Sequence, residues 1–160
     1  MSESVDPTFT HLDEAGAARM VDVAGKDVTV RMAVATGRAD LSPECVALLR
    51  GAGVPKGDAL AVARVAGIMG AKRTPDLIPL CHPISLSGVT VDLVVDDGGV
   101  AVTVTARTAD RTGVEMEALT AVSVACLALV DMTKAVDPRA VISDIRVESK
   151  TGGKTGPWTR

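Results

Sequence analysis

Two alternating apolar runs on either side of Asp96-Asp97-Gly98-Gly99 constrain this chain more tightly than anything else in it. Val89, Val91, Leu93 and Val95 mark one run, and Val100, Val102 and Val104 resume the period after the turn. Period-two patterning joined by a glycine-rich turn makes a β-hairpin, and a hairpin with one apolar face must cover that face. Three helical stretches can supply the cover. Ser42-Pro43 reads as an N-cap with proline in the first turn of a short helix that Gly51 closes. Asp58 caps a second helix whose apolar side is Leu60, Ala61, Val65, Ile68 and Met69. Thr74-Pro75 ends it, because a residue before proline avoids the helical region. Thr112-x-x-Glu115 reads as a capping box opening the longest helix, about residues 113–135, which Asp137-Pro138 stops. Between the second and third helices, residues 76–87 carry Pro79 and Pro83 and form a constrained loop. Alternation at residues 28–34 (Val28, Val30, Met32, Val34) marks a first strand, and residues 141–147 form a last one. The order β–αα–ββ–α–β predicts an α+β, ferredoxin-like fold, an antiparallel sheet with helices packed on one face. Residues 1–160 read as a single domain, with a flexible N-terminal arm over about 1–19 and a mobile Gly/Lys-rich tail over about 149–160.

Composition excludes several function classes. Phe9 and Trp158 are the only Phe, Tyr or Trp residues, so there is no platform for stacking single-stranded bases. Seventeen Lys and Arg against twenty Asp and Glu give a net charge of -3, which argues against a general nucleic-acid partner but leaves a local basic pocket open. Cys45, Cys81 and Cys126 form no CxxC pair, so neither a zinc knuckle nor a disulfide framework is expected, and a reducing cytoplasm fits best. The polar start, with Glu3, Asp6 and Asp13, lacks the apolar core of a signal peptide. Apolar runs are interrupted well before the roughly 18 residues of a membrane span, so no membrane partner is expected.

Two glycine motifs fail on inspection. Gly152-Gly153-Lys154-Thr155-Gly156 is no P-loop, because Glu148 stands where its first glycine belongs and no helix follows. Gly51-Ala52-Gly53 is no dinucleotide fingerprint, because Lys56 takes the third glycine's place. What remains is Lys150 and Lys154 on a glycine-rich tail able to fold over an anion, or simply a solvated tail.

The longest helix says more. Leu119, Val122, Cys126, Leu127 and Val130 make its core stripe, with Glu117, Asp131 and Lys134 off it. Asp131 and Lys134 are neighbours on one face: either a surface ion pair worth a few tenths of a kcal/mol or a lysine tuned by a carboxylate for proton transfer. Glu117 and Asp131 are roughly 21 Å apart along the axis, so a small-molecule site using both must combine two subunits. His82, in Leu80-Cys81-His82-Pro83, sits on a proline-braced loop suited to presenting backbone and imidazole to a ligand. Adjacent Cys and His do not normally share one metal, so no metal site is expected. Lys56 and the pair Lys72-Arg73 place cations at the two ends of the second helix.

In order along the chain stand Lys56-Gly57-Asp58, Ala71-Lys72-Arg73-Thr74, Asp76-Leu77-Ile78-Pro79-Leu80-Cys81-His82-Pro83, Thr112-Gly113-Val114-Glu115-Met116-Glu117-Ala118-Leu119-Thr120, Asp131-Met132-Thr133-Lys134-Ala135 and Lys150-Thr151-Gly152-Gly153-Lys154. With these motifs the chain closely resembles the molybdenum-cofactor biosynthesis protein C family, the cyclic pyranopterin monophosphate synthases, over about residues 10–156. The resemblance implies a lyase of molybdenum cofactor (molybdopterin) biosynthesis. It would convert 3′,8-cyclo-7,8-dihydroguanosine 5′-triphosphate into cyclic pyranopterin monophosphate and diphosphate. It also implies a homohexamer, a trimer of dimers, with each site at a dimer interface. Carried over by motif, Asp131 is the catalytic acid, Lys56 and Lys134 are further catalytic residues, and Leu80, Cys81, His82, Met116 and Glu117 contact substrate. The triphosphate chemistry adds Lys72, Arg73, Lys150 and Lys154 as binding cations. No cofactor is required, although Mg²⁺ can accompany the triphosphate. The alternative is a non-catalytic nucleotide-binding module of the same fold, which would not need the Asp131–Lys134 pair; a purely structural oligomer would need neither the pair nor the cations.

Overall fold

Five strands make one antiparallel sheet in the order β2-β3-β1-β4-β5. The computed structural model describes residues 9–51 and 59–160. The strands are β1 (Thr29–Asp40), β2 (Leu86–Asp96), β3 (Gly99–Asp110), β4 (Val141–Thr151) and the short β5 (Trp158–Thr159). The helices are α1 (Pro43–Arg50), α2 (Ala59–Lys72), the single turn α3 (Thr74–Leu77) and α4 (Glu115–Thr133). The predicted hairpin is β2–β3, in register from Asp96↔Gly99 outward. β1 runs up the middle between β3 and β4, which gives the ferredoxin-like order, and the helices pack on the sheet. Ser42 caps α1 as read, its hydroxyl accepting from the Cys45 amide. The Asp58 cap falls outside the described residues.

The faces differ from the sequence reading. In β1 the alternating valine face is not the buried one: Val30 is 77% exposed while Ala33, Ala35 and Ala39 are completely buried under the helices. The small residues face in because α4 lies close: a Cβ on Gly37 would stand 2.5 Å from Val122 Cγ1. The same holds in α2, where Ala59, Ala63, Gly67, Gly70 and Ala71 are buried and Val65 and Met69 are exposed. In α4, Val122 and Cys126 are buried as expected, with Ala118, Ala121, Ala125 and Leu129, whereas Leu127 is exposed. That helix is long and apolar enough to cross a membrane, but half of its apolar stretch is buried in the core of this chain.

Two ends also differ. The capping box does not form: Val114 is the N-cap and no side chain caps it. Glu115 instead reaches Lys150, 3.1 Å away, and an ion pair to β4 takes the place of a local bond. The Gly/Lys-rich tail is no free extension: residues 149–151 continue β4, and Trp158 and Thr159 pair back with Lys150 and Ser149. Gly152, Gly153 and Gly156, all with positive φ, make the turn between them.

Candidate active site

One end of the sheet gathers segments distant in sequence. Arg31 pairs with Thr108 across β1 and β3 and shares the helix side with Ala33 and Ala35, two and four residues on. α4 begins beside it. The loop after α3 is fastened to β3: Thr108 donates its hydroxyl to the Ser85 carbonyl at 2.6 Å, and the Ser85 amide donates to Asp110 at 3.4 Å. His82 Nε2 lies 2.6 Å from the Val21 carbonyl. A carbonyl only accepts, so Nε2 is the donor of this hydrogen bond. The N-terminal arm is itself folded, with Asp13 accepting from the Ala15 and Ala17 amides and Leu12 bridging to Ala18.

These segments enclose a cavity of about 280 Å³. Leu80, Cys81 and His82 line it from the loop, and Thr112, Gly113, Glu115, Met116 and Glu117 from the start of α4. Arg31, Lys150 and His11 complete the wall. Glu117 is 3% exposed, and its Oε2 has no hydrogen-bond partner. Burial, with the charge of Glu115 adding to it, pushes its pKa up to about 7. The cavity therefore holds a carboxyl able to give or take a proton near neutrality. Burial and the Glu117 charge also push the Cys81 thiol up, which makes it a poor nucleophile.

The expected site residues divide into groups. Leu80, Cys81, His82, Met116, Glu117 and Lys150 share this one cavity. Lys72 lines a neighbouring cavity of about 310 Å³ with Pro75, Pro83, Ile84 and Leu86, and Glu117 forms part of both walls. Arg73 is exposed and pairs with Asp76 at 3.6 Å, and Lys154 is exposed on the Gly152–Gly156 turn; neither lines either of these two cavities. Asp131 and Lys134 form an exposed ion pair of 2.7 Å toward the far end of α4. Lys56 falls outside the described residues. Arg31 and His11 were missed. Arg31 sits in an alternating strand pattern that reads as structure, and His11 in an arm with weak periodicity; only the folded chain brings them to the loop. Among the described residues no three His, Cys, Asp or Glu side chains cluster in a way that could hold a metal ion.

A sequence profile of the MoaC family matches residues 20–153. The chain is 74% identical over 152 residues to the cyclic pyranopterin monophosphate synthase of Streptomyces coelicolor, covering 95% of this chain and 89% of that protein. It is 70% identical over 155 residues to the protein of the same name from Nocardioides sp., covering 95% of each. It is 62% identical over 152 residues to cyclic pyranopterin monophosphate synthase 2 of Mycobacterium tuberculosis, covering 95% of this chain and 91% of that protein.

Proposed function

This chain belongs to the MoaC family, and from that membership and the cavity we infer that it is a cyclic pyranopterin monophosphate synthase, a lyase of molybdenum cofactor biosynthesis. The observation that carries the reading is the meeting of Leu80, Cys81, His82, Met116 and Glu117 with the cations Arg31 and Lys150 in one cavity. The substrate we propose is 3′,8-cyclo-7,8-dihydroguanosine 5′-triphosphate, and the products are cyclic pyranopterin monophosphate and diphosphate. Opening the purine's five-membered ring and closing a pyrazine ring takes several proton transfers. Glu117, poised near neutrality, suits one of them. Asp131 as acid with Lys134, and Lys56 as a further catalytic residue, suit the others. As the cyclic phosphate closes, charge grows on the departing diphosphate, and Arg31, Lys72, Arg73, Lys150 and Lys154 are the cations proposed to meet it.

One copy of α4 cannot bring Glu117 and Asp131 to the same small molecule across roughly 21 Å of helix. The reading therefore includes a pocket shared by two chains within a cytoplasmic homohexamer, a trimer of dimers. Exposed Val62, Val65 and Met69 on α2, with Leu127 on α4, support such association, since apolar side chains on one layer favour a protein partner. No resident cofactor enters the proposal. Glu115 is engaged with Lys150, and a buried Glu117 near neutral pKa is a poor cation ligand, so Mg²⁺ would travel on the triphosphate. The test incubates the purified protein with the cyclised nucleotide. Diphosphate and a fluorescent oxidised pterin should both appear, and binding without either product would leave only a nucleotide-binding module.

A further inference from the structure

We propose that the Gly152–Gly153 turn is a positioning element for the Arg31 guanidinium, with Gly153 acting on the side chain and Gly152 on the backbone beneath it. Read from sequence, these glycines let the chain approach an anion. In the fold their close neighbour is Arg31. Both have φ in the left-handed region, +84° and +82°, where a side chain is strained. A Cβ on Gly152 would collide with the Val30 carbonyl oxygen and stand 3.1 Å from Arg31 Cα. A Cβ on Gly153 would stand 2.6 Å from Arg31 Nη1 and 3.2 Å from Cζ. The turn thus lies against the arginine over both its main chain and its planar head. On another side, Arg31 Nε donates to the Asp110 carbonyl at 3.2 Å.

An arginine side chain loses rotamer freedom when fixed, so presenting it already placed favours an anionic ligand. The hydrogen bond to Asp110 fixes one edge of the guanidinium, and the bare backbone of Gly153 limits where its Nη groups can swing. Arg31 lines the 280 Å³ cavity and, with Gly113, Glu115, Lys150 and Gly152, a smaller cleft beside it. The turn therefore reaches substrate through Arg31 rather than by its own amides. The inference rests on the functional reading above insofar as the ligand carries phosphates.

Gly156 provides an internal control. It shares the left-handed conformation, at φ +70°, but a Cβ there would meet nothing within 4 Å. Gly156→Ala therefore bears the backbone strain without the collision. In steady-state assays with the cyclised nucleotide, Gly153→Ala should raise KM about tenfold, and Gly156→Ala less than about twofold. Arg31→Ala should raise KM by itself, and adding Gly153→Ala to it should change KM by less than about twofold, because the obstacle is gone. If Gly153→Ala costs the same factor in both backgrounds, the glycine does not act through Arg31 and the proposal falls. Should Gly153→Ala alone be too unstable to assay, the cycle is read on Tm: partial recovery in the double variant supports the proposal, and none overturns it. The cycle is repeated by calorimetry with inorganic triphosphate. Coupling there, alongside a wild-type protein that fails to turn over the nucleotide, would sink the functional reading and leave the positioning role standing.

Discussion

At the scale of the residue, burial sets what Glu117 and Lys134 can do. Glu117 holds its proton to about pH 7 in the folded chain, against an ordinary value of 4.5. Between those values the folded state carries a proton that the unfolded state has lost, so stability falls as pH rises through this window and levels off above it. The fall should approach about 3.5 kcal/mol at most, taking about 1.4 kcal/mol per pH unit. Glu117→Gln keeps the shape and removes the titration, so its Tm should be flatter between pH 5 and 7.5 than that of the wild type, each shown as a difference from its own value at the lower pH. Parallel curves would mean the carboxyl is already ionised in the folded chain. Lys134 is the opposite case: it and Asp131 are more than half exposed, and such a pair contributes at most about 1 kcal/mol. Lys134→Ala should therefore leave Tm within about 4 °C while abolishing product formation; near-normal turnover would remove Lys134 from the chemistry. The two also differ in legibility. The Asp131–Lys134 contact follows from a three-residue helical spacing, whereas the unpartnered oxygen of Glu117 depends on a loop more than thirty residues away closing over the start of α4.

At the scale of the element, packing distance decided what patterning alone did not. The hairpin, the α1 cap and the ferredoxin-like strand order could be read from alternation and turn chemistry, which are local. Which face of β1 and α2 turned inward could not, because the buried residues are the small ones. Hydrophobicity favours Val30, Val65 and Met69 for the core; close helix–helix and helix–sheet approach favours Ala33, Ala63, Gly67 and Gly70. The tail was misread for a related reason: Gly and Lys lower strand propensity, yet continuation of β4 alongside β1 holds residues 149–151 in the sheet. Gly70 offers a sharp check. In an exposed helix Gly→Ala adds about 1 kcal/mol of stability. Here the new methyl would stand 2.8 Å from Val124 Cβ and Cγ2, and overpacking costs about 1–3 kcal/mol. The collision involves Cβ itself, so no rotamer of Val124 escapes it. Gly70→Ala should therefore lower the urea midpoint, and adding Val124→Gly, which removes that Cβ, should cost less than the sum of the two single changes. A single variant more stable than wild type would mean that α2 and α4 part easily.

At the scale of the whole molecule, the length of α4 forces a choice. Glu117 belongs to its first turn and Asp131 to its last, roughly 21 Å apart along the axis, too far for both carboxylates of one chain to reach the same reacting atoms. Either one of these carboxylates is idle or two chains share each site. A two-fold dimer with paired pockets satisfies the second option, each pocket taking Glu117 from one chain and Asp131 from its partner. The exposed Val62, Val65, Met69 and Leu127 make such pairing favourable for the helical layer, because burying them removes apolar surface from water. The test mixes two inactive proteins, Glu117→Ala and Asp131→Ala, and lets subunits exchange. In a mixed dimer both lesions fall in one pocket and the other pocket is intact. Random exchange at equal concentrations makes half the dimers mixed, with one working pocket in two, so activity should recover to about a quarter of the wild-type value. Exchange is verified independently by mass spectrometry with one partner isotopically labelled. Full exchange with no recovery would mean that each pocket belongs to a single chain.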